Sequence, residues 1–175
     1  MTASPYATGL GKTAANHRPL TPLSFLDRAA AVFPDRIAWI HGERKTSYRD
    51  FYARCRRLAS ALGRAGVGRG DTVAVMAPNV PALLEAHFGV AMAGAVLNAL
   101  NIRLDAAAIG FMLEHGEAKL LITDREFSPV IKDALAGMAT PPIVVDYDDA
   151  TFHGAGERLG AIEYEAFLDQ GDADF

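Results

Sequence analysis

Three hydrogen-bonding side chains, Asn98, Asn101 and Arg103, fall within six residues directly after the apolar run Ala95-Val96-Leu97. In parallel sheets, ligands gather beyond the carboxyl ends of the strands, so residues placed there are the first candidates for binding. Those three are the weak cofactor-binding candidates of this chain, with the alternative that they order their own loop. Two other strand exits carry polar groups, Ala77-Pro78-Asn79 and Thr123-Asp124-Arg125. Asn79 stands before Val80-Pro81 and reads as the N-cap of a helix with proline in its first turn. Asp105 reads as the cap of a helix starting at Ala106. His87 lies in a segment apolar almost all round and reads as a satisfied core histidine, with Glu85 paired to it or to an arginine.

Other patterns suggest chemistry and then lack a part. Gly9-Leu10-Gly11-Lys12-Thr13 resembles the end of a phosphate-binding loop, but Tyr6 stands where the first glycine belongs and no strand precedes it. Gly66 to Asp71 is glycine-rich but follows a helix and precedes a strand, the reverse of a phosphate cradle. The group Arg54, Arg56 and Arg57 reads as a solvated helix face, and no aromatics interleave with it as nucleic-acid stacking requires. A single cysteine, Cys55, excludes a disulfide framework and a CxxC metal site, and no spacing of acids and histidines suggests another metal site. No nucleophile–base pair emerges, and no catalytic residue is assigned.

The elements that position these residues follow from periodicity. Thr21-Pro22-Leu23 opens a helix that ends near Phe33-Pro34, because the residue before proline resists helical geometry. Ile37 to Ile40 and Lys45-Thr46 flank a turn and read as a hairpin. Ser47 caps a helix whose Tyr48, Phe51, Tyr52, Cys55, Leu58, Ala59 and Leu62 form one buried stripe, and Gly66 ends it. Apolar runs then start at Thr72, Ala95, Leu120 and Ile143, with helical segments at 81–93, 106–115 and 126–135 between them. Strand and helix in alternation at this spacing predict an α/β fold: a largely parallel sheet of βα repeats with flanking helices, preceded by a β-hairpin. Asp146 to Asp149 reads as a loop leaving the last strand, and 164–168 as a short helix.

Composition bounds the rest. The 175 residues are half hydrophobic, with mean hydropathy +0.10, enough for a substantial core and too apolar for wholesale disorder. Residues 1–20 read as an extended lead-in and 21–175 as one α/β unit. The net charge of −4 splits into +4 over residues 1–140 and −8 over the last 35, an asymmetry that suggests an acidic tail or a partner surface. No signal-peptide core or membrane-length apolar run occurs, so a cytoplasmic location is expected, with no nucleic acid and no membrane span.

Taken together, "LTPLSFLDRAAAVFPDRIAWI" and the segment from "TSYRDFYARCRRLASALGRAGVGRGDTVAVMAPNVPALLEAHFGV" to "AMAGAVLNALNIRLDAAAIGFMLEHGEAKLLITD" resemble the N-terminal part of acyl-CoA synthetases of the adenylate-forming superfamily. The markers fall in order: Ser47-Tyr48, Gly70-Asp71 into Val73-Ala74-Val75, Pro78-Asn79, Ala93-Gly94-Ala95-Val96, and Asn101 to Leu104. The resemblance implies the N-terminal subdomain of an enzyme that joins a short- or medium-chain carboxylic acid to coenzyme A through an acyl-adenylate. It implies ATP, Mg2+ and coenzyme A for the whole enzyme and none for this portion. The family's Ser/Thr/Gly-rich phosphate loop and its later acidic, arginine and lysine motifs do not occur in these residues. The expectation is an N-terminal portion, inactive alone, whose partner is the remaining C-terminal part. The alternatives are an interaction or homodimerising module and an independent nucleotide binder.

Overall fold

The computed structural model describes Gly9, residues 11–18 and residues 20–175. Half of the expected lead-in, including Leu10 of the Gly-Lys-Thr motif, therefore lies outside the described residues. Gly11-Lys12-Thr13 leads into a turn in which the Thr13 amide donates to Asn16 Oδ1 at 2.8 Å. No helix follows it directly, as a phosphate loop would need.

The chain then runs α1 (Leu23–Val32), β1 (Ile37–His41), β2 (Arg44–Ser47), α2 (Tyr48–Arg64), β3 (Thr72–Met76), α3 (Pro81–Met92), β4 (Val96–Ala99), α4 (Ala106–His115), β5 (Ala118–Asp124), α5 (Ser128–Ala136), β6 (Ile143–Tyr147), β7 (Ile162–Glu163) and α6 (Tyr164–Asp169). β1 and β2 form an antiparallel hairpin. The other five strands form one sheet in the order β4-β3-β5-β6-β7, and every neighbouring pair in it is parallel. This is the expected βα-repeat sheet with its hairpin.

Alternation along the strands builds two cores. Val73, Val75, Leu120, Ile122 and Val145 face α2, α3 and α6, while Ala74, Met76 and Leu121 face α4 and α5. Strands buried on both faces read as unbroken apolar runs, which is why the sequence shows no polar alternation there. A third cluster, Leu26, Phe51 and Cys55 with Trp39 packed against it, fastens α1 and the hairpin to α2. Burial pushes the Cys55 thiol well above its ordinary range, so it is an inert core residue.

The caps follow the sequence with one exception. Ser47 accepts from the Asp50 amide, and Asp105 from the Ala108 amide at 2.8 Å. Asn79 does not cap α3. Proline takes the first helical position because its missing N–H is an orphan there anyway, so the cap falls on Val80, which has no side-chain bond to offer. Three further expectations change. Asp146 and Tyr147 belong to β6 rather than to a loop. A short 3-10 turn, Arg125–Phe127, precedes α5. β7, only two residues long, has no apolar run to betray it.

The contact of α2 with α3 depends on Gly89. A Cβ there would meet Leu58 Cδ2 at 2.7 Å and the Cys55 carbonyl oxygen at 2.9 Å. The second is helix backbone and cannot step aside. Gly89→Ala gains up to about 1 kcal/mol of helix propensity and loses about 1–3 kcal/mol to overpacking. We predict a net loss, seen as a lower urea midpoint at unchanged slope. An unchanged or higher midpoint contradicts this account of the crossing.

Candidate functional site

The strand order places a reversal between β3 and β5. The chain leaves β3 for β4 on one side, then returns across to β5 on the other. α3 and α5 leave these two strands on opposite faces, so their carboxyl ends mark the switch point at which parallel sheets bind ligands. The residues lining that edge are Ala77-Pro78-Asn79 after β3 and Asp124-Arg125 at the end of β5.

The three sequence candidates sit at the outer edge instead. Asn98 lies on edge strand β4, and its amide donates to the Met112 carbonyl of α4 at 3.4 Å. Gly116 leaves the room, since a Cβ there would stand 3.2 Å from Asn98 Nδ2. Asn101 Oδ1 accepts from the Arg103 amide at 3.0 Å, a local turn. The Arg103 side chain is exposed. Asn98 and Asn101 thus each bond to backbone of their own region.

The strongest electrostatic feature lies elsewhere. Arg54 of α2, expected on a solvated face, is only 16% exposed. Its guanidinium donates to Glu85 of α3 (Nε to Oε1 2.5 Å, Nη2 to Oε2 3.1 Å) and to both Glu165 oxygens of α6 at 2.7 Å. Glu85 has no exposed surface at all, and Tyr164 donates its hydroxyl to Glu85 Oε2 at 2.8 Å. Of the two partners expected for Glu85, it takes an arginine. Burial pushes Glu85 above the ordinary carboxylate range against the pull of Arg54. Burial alone would lower Arg54, but its bonds to Glu165 and Glu85 outweigh that and hold it firmly charged. Burial likewise opposes charge on Glu165, yet Arg54 and Arg44 together hold it below the ordinary range.

His87 is exposed rather than in the core. Its Nδ1 donates to the Leu83 carbonyl one turn back, at 2.7 Å. A helix apolar on nearly every face gave periodicity no way to choose its outer side.

A second cluster closes the hairpin onto the sheet. His41 Nε2 stands 2.8 Å from Asp149 Oδ1, and the Thr151 hydroxyl donates to Asp149 at 3.0 Å. Burial opposes ionisation of Asp149, but the bonds from His41 and Thr151 prevail and keep its pKa low. This trio is no nucleophilic triad. Thr151 Oγ1 and Asp149 both address the same ring nitrogen, whereas in a triad the nucleophile and the orienting carboxylate engage opposite nitrogens of the histidine base. Asp146, fully buried, accepts from the amides of Leu159 and Gly160 and ties the returning chain to β6. Gly160 is required there, because a Cβ would collide with the Val144 carbonyl. Asp124 accepts from the Glu126 amide with one oxygen, and burial pushes its pKa up. Sequence reasoning missed His41, Asp146, Asp149, Thr151, Tyr164 and Glu165. The available signal is the run of acids from Asp146 to Asp149, whose composition suggests a loop although it closes β6.

The profile of the AMP-binding enzyme family matches residues 26–166. The chain belongs to that family. It is 47% identical to an acetate/butyrate–CoA ligase of Arabidopsis thaliana, named as peroxisomal, covering 95% of this chain and 31% of that protein. An acetate–CoA ligase of Humulus lupulus is 48% identical with the same shares. Among solved structures, a putative long-chain-fatty-acid CoA ligase from Rhodopseudomonas palustris superposes with TM-score 0.72 at 30% identity, over 87% of this chain and 36% of that one. An anthranilate CoA ligase in complex with anthranoyl-AMP shares the fold, with TM-score 0.77 at 20% identity over 86% of this chain and 28% of that one. The chain thus spans about a third of the length of the relatives it matches. The fold is the N-terminal α/β part of an adenylate-forming ligase. Among the described residues, no helix is long and apolar enough to cross a membrane.

The depressed pKa values of Glu165 and Asp149 set a pH dependence. A carboxylate whose folded pKa lies below its unfolded value stabilises fully above that unfolded value, 4.5 for Glu165, and loses the contribution as pH falls through the folded one. Stability of the chain therefore declines below about pH 4.5. Glu165→Gln should lower the urea midpoint at neutral pH and flatten this acid limb. An acid limb of unchanged steepness in the variant contradicts the pairing.

Proposed function

We propose that this chain is the N-terminal portion of an ATP-dependent acid–CoA ligase acting on a short- or medium-chain carboxylic acid. The observation that carries this reading is the match to acetate–CoA and acetate/butyrate–CoA ligases along 95% of the chain, in register with nearly the whole fold. Other relatives are named as butyrate–CoA, benzoate–CoA and 2-methylpropanoate–CoA ligases, which supports small acids as the substrate class.

The described residues do not fit a triphosphate or metal site by themselves. The loops after β3 and β5 hold no glycine to let a phosphate approach the backbone. Among the described residues, no group of three or more His, Cys, Asp or Glu side chains is arranged to hold a metal ion. In this reading ATP, magnesium and coenzyme A are bound by the whole enzyme, and the chain contributes scaffold rather than catalytic groups. Asn98, Asn101 and Arg103 then act as loop organisers at the β4 edge. A single cysteine offers no disulfide framework, which suits a reducing compartment, and the cytoplasm is the location proposed.

The test is ATP–pyrophosphate exchange with acetate and with butyrate. The 175-residue chain alone should give none. A chimera joining it to the part of the Humulus lupulus acetate–CoA ligase beyond the matched third should give exchange well above background. A folded chimera without exchange, or exchange by the chain alone, overturns the proposal.

A further inference from the structure

A cleft of about 650 Å³ opens at the carboxyl end of β6, between the hairpin turn and the loop 148–151, and the ligase reading leaves it unused. Its walls are fixed by the chain itself. His41 Nε2 stands 2.8 Å from Asp149 Oδ1 across the gap. Gly42, at φ +57°, lets the turn approach so closely that a Cβ there would stand 2.9 Å from Thr151 Cγ2. Tyr147 lines the cleft and is only 5% exposed. Its hydroxyl has no hydrogen-bond partner among the described residues, whereas that of its neighbour Tyr164 is spent on Glu85. The sealed side-chain atoms without a partner belong to Trp39, Asp124, Arg125 and Asp148, so the Tyr147 hydroxyl keeps an opening onto the cleft. A polar group buried this far normally has a partner. Four carboxylates, Glu43, Asp148, Asp149 and Glu165, line the same cleft against one permanent cation, Arg44. Asp148, Asp149 and Glu165 are paired with Arg158, His41 and Arg54. Glu43 is exposed at the rim and has no ion partner among the described residues. Burial pushes the Tyr147 pKa up, and Asp149, Glu85 and Glu165 add to it against Arg44 alone, so the hydroxyl stays neutral in a negative field.

We propose that this cleft binds a small organic ammonium ion, a primary amine on a short apolar tail. The ammonium donates to the Tyr147 hydroxyl oxygen, and Glu43 with the surrounding carboxylates holds its charge. The tail rests on Pro81 and Ala150. The excess of acids disfavours an anion. A bare metal ion is disfavoured because, among the described residues, no three acid, histidine or cysteine side chains are arranged to hold one. The volume lies within the ordinary range for small-molecule pockets.

The test follows the backbone amides of Gly42, Tyr147 and Thr151 by NMR while n-butylammonium is titrated, with n-butanol and butyrate in parallel at matched ionic strength. It uses no ATP, magnesium or coenzyme A, so it stands or falls apart from ligase activity. The expected result is a saturable shift of these amides with a Kd on the order of millimolar. Both n-butanol and butyrate should bind about tenfold more weakly or not at all. Tyr147→Phe keeps the ring against Tyr164 and removes the acceptor, which should weaken n-butylammonium about fivefold. Glu43→Lys alters only an exposed side chain and reverses its charge, which should weaken it about tenfold. Circular dichroism checks that both variants fold. Shifts that do not saturate or that fall elsewhere, equal binding of n-butanol or butyrate, or unchanged affinity in a folded variant would each overturn the proposal.

Discussion

A carboxylate with no exposed surface has to be paired, and the described structure is organised around how Glu85 meets that demand. Removing an ionised group from water is costly unless geometry and hydrogen bonds compensate. Glu85 receives two bonds from Arg54 and one from Tyr164. Arg54 in turn grips Glu165 with its other edge. One guanidinium therefore fixes α2, α3 and α6 relative to one another on a single face of the sheet. Tyr164 packs edge-on against Tyr147 of β6, which extends the constraint into the strands. The planar fork of arginine suits this double role, and a lysine could not replace it.

The same constraint explains the uneven charge along the sequence. The basic residues concentrated in α2 and the acids concentrated in the last 35 residues meet in space. Arg54 holds Glu165, Arg57 holds Asp169, and Arg64 donates to the Gln170 carbonyl. Exposed pairs of this kind contribute little each. Their pattern accounts for part of the asymmetry as internal complementarity, with the end of the acidic segment folded back onto α2. Asp146, Asp149 and Glu163 have further local work, on the returning loop, on the hairpin and as the cap of α6.

The parallel sheet was legible because each βα unit occupies a nearly constant 23–25 residues and buries both faces of its strand. Ser47 and Asp105 were legible as caps because capping is decided within four residues. What escaped the sequence depends on partners far away along the chain. Arg54 and Glu165 are 111 positions apart, and a polar residue on an amphipathic helix shows nothing of what lies opposite. His87 escaped because α3 offers no polar face to set its rotation, and β7 because two residues carry no period. The candidate site fared less well than the fold. Asn98 lies within β4 rather than beyond it, Asn101 and Arg103 follow the strand, two of the three are engaged with backbone, and none lies at the carboxyl ends of β3 and β5.

The central claim is that Glu85 is a demand met by Arg54 rather than an independent source of stability. It is tested most directly by comparing urea denaturation of Arg54→Met with that of the double variant Arg54→Met/Glu85→Leu. The single change strands a buried carboxylate and should cost about 3–5 kcal/mol. The double change removes the demand together with its partner, and should be more stable than the single variant. A double variant as unstable as the single one, or less stable, contradicts the account.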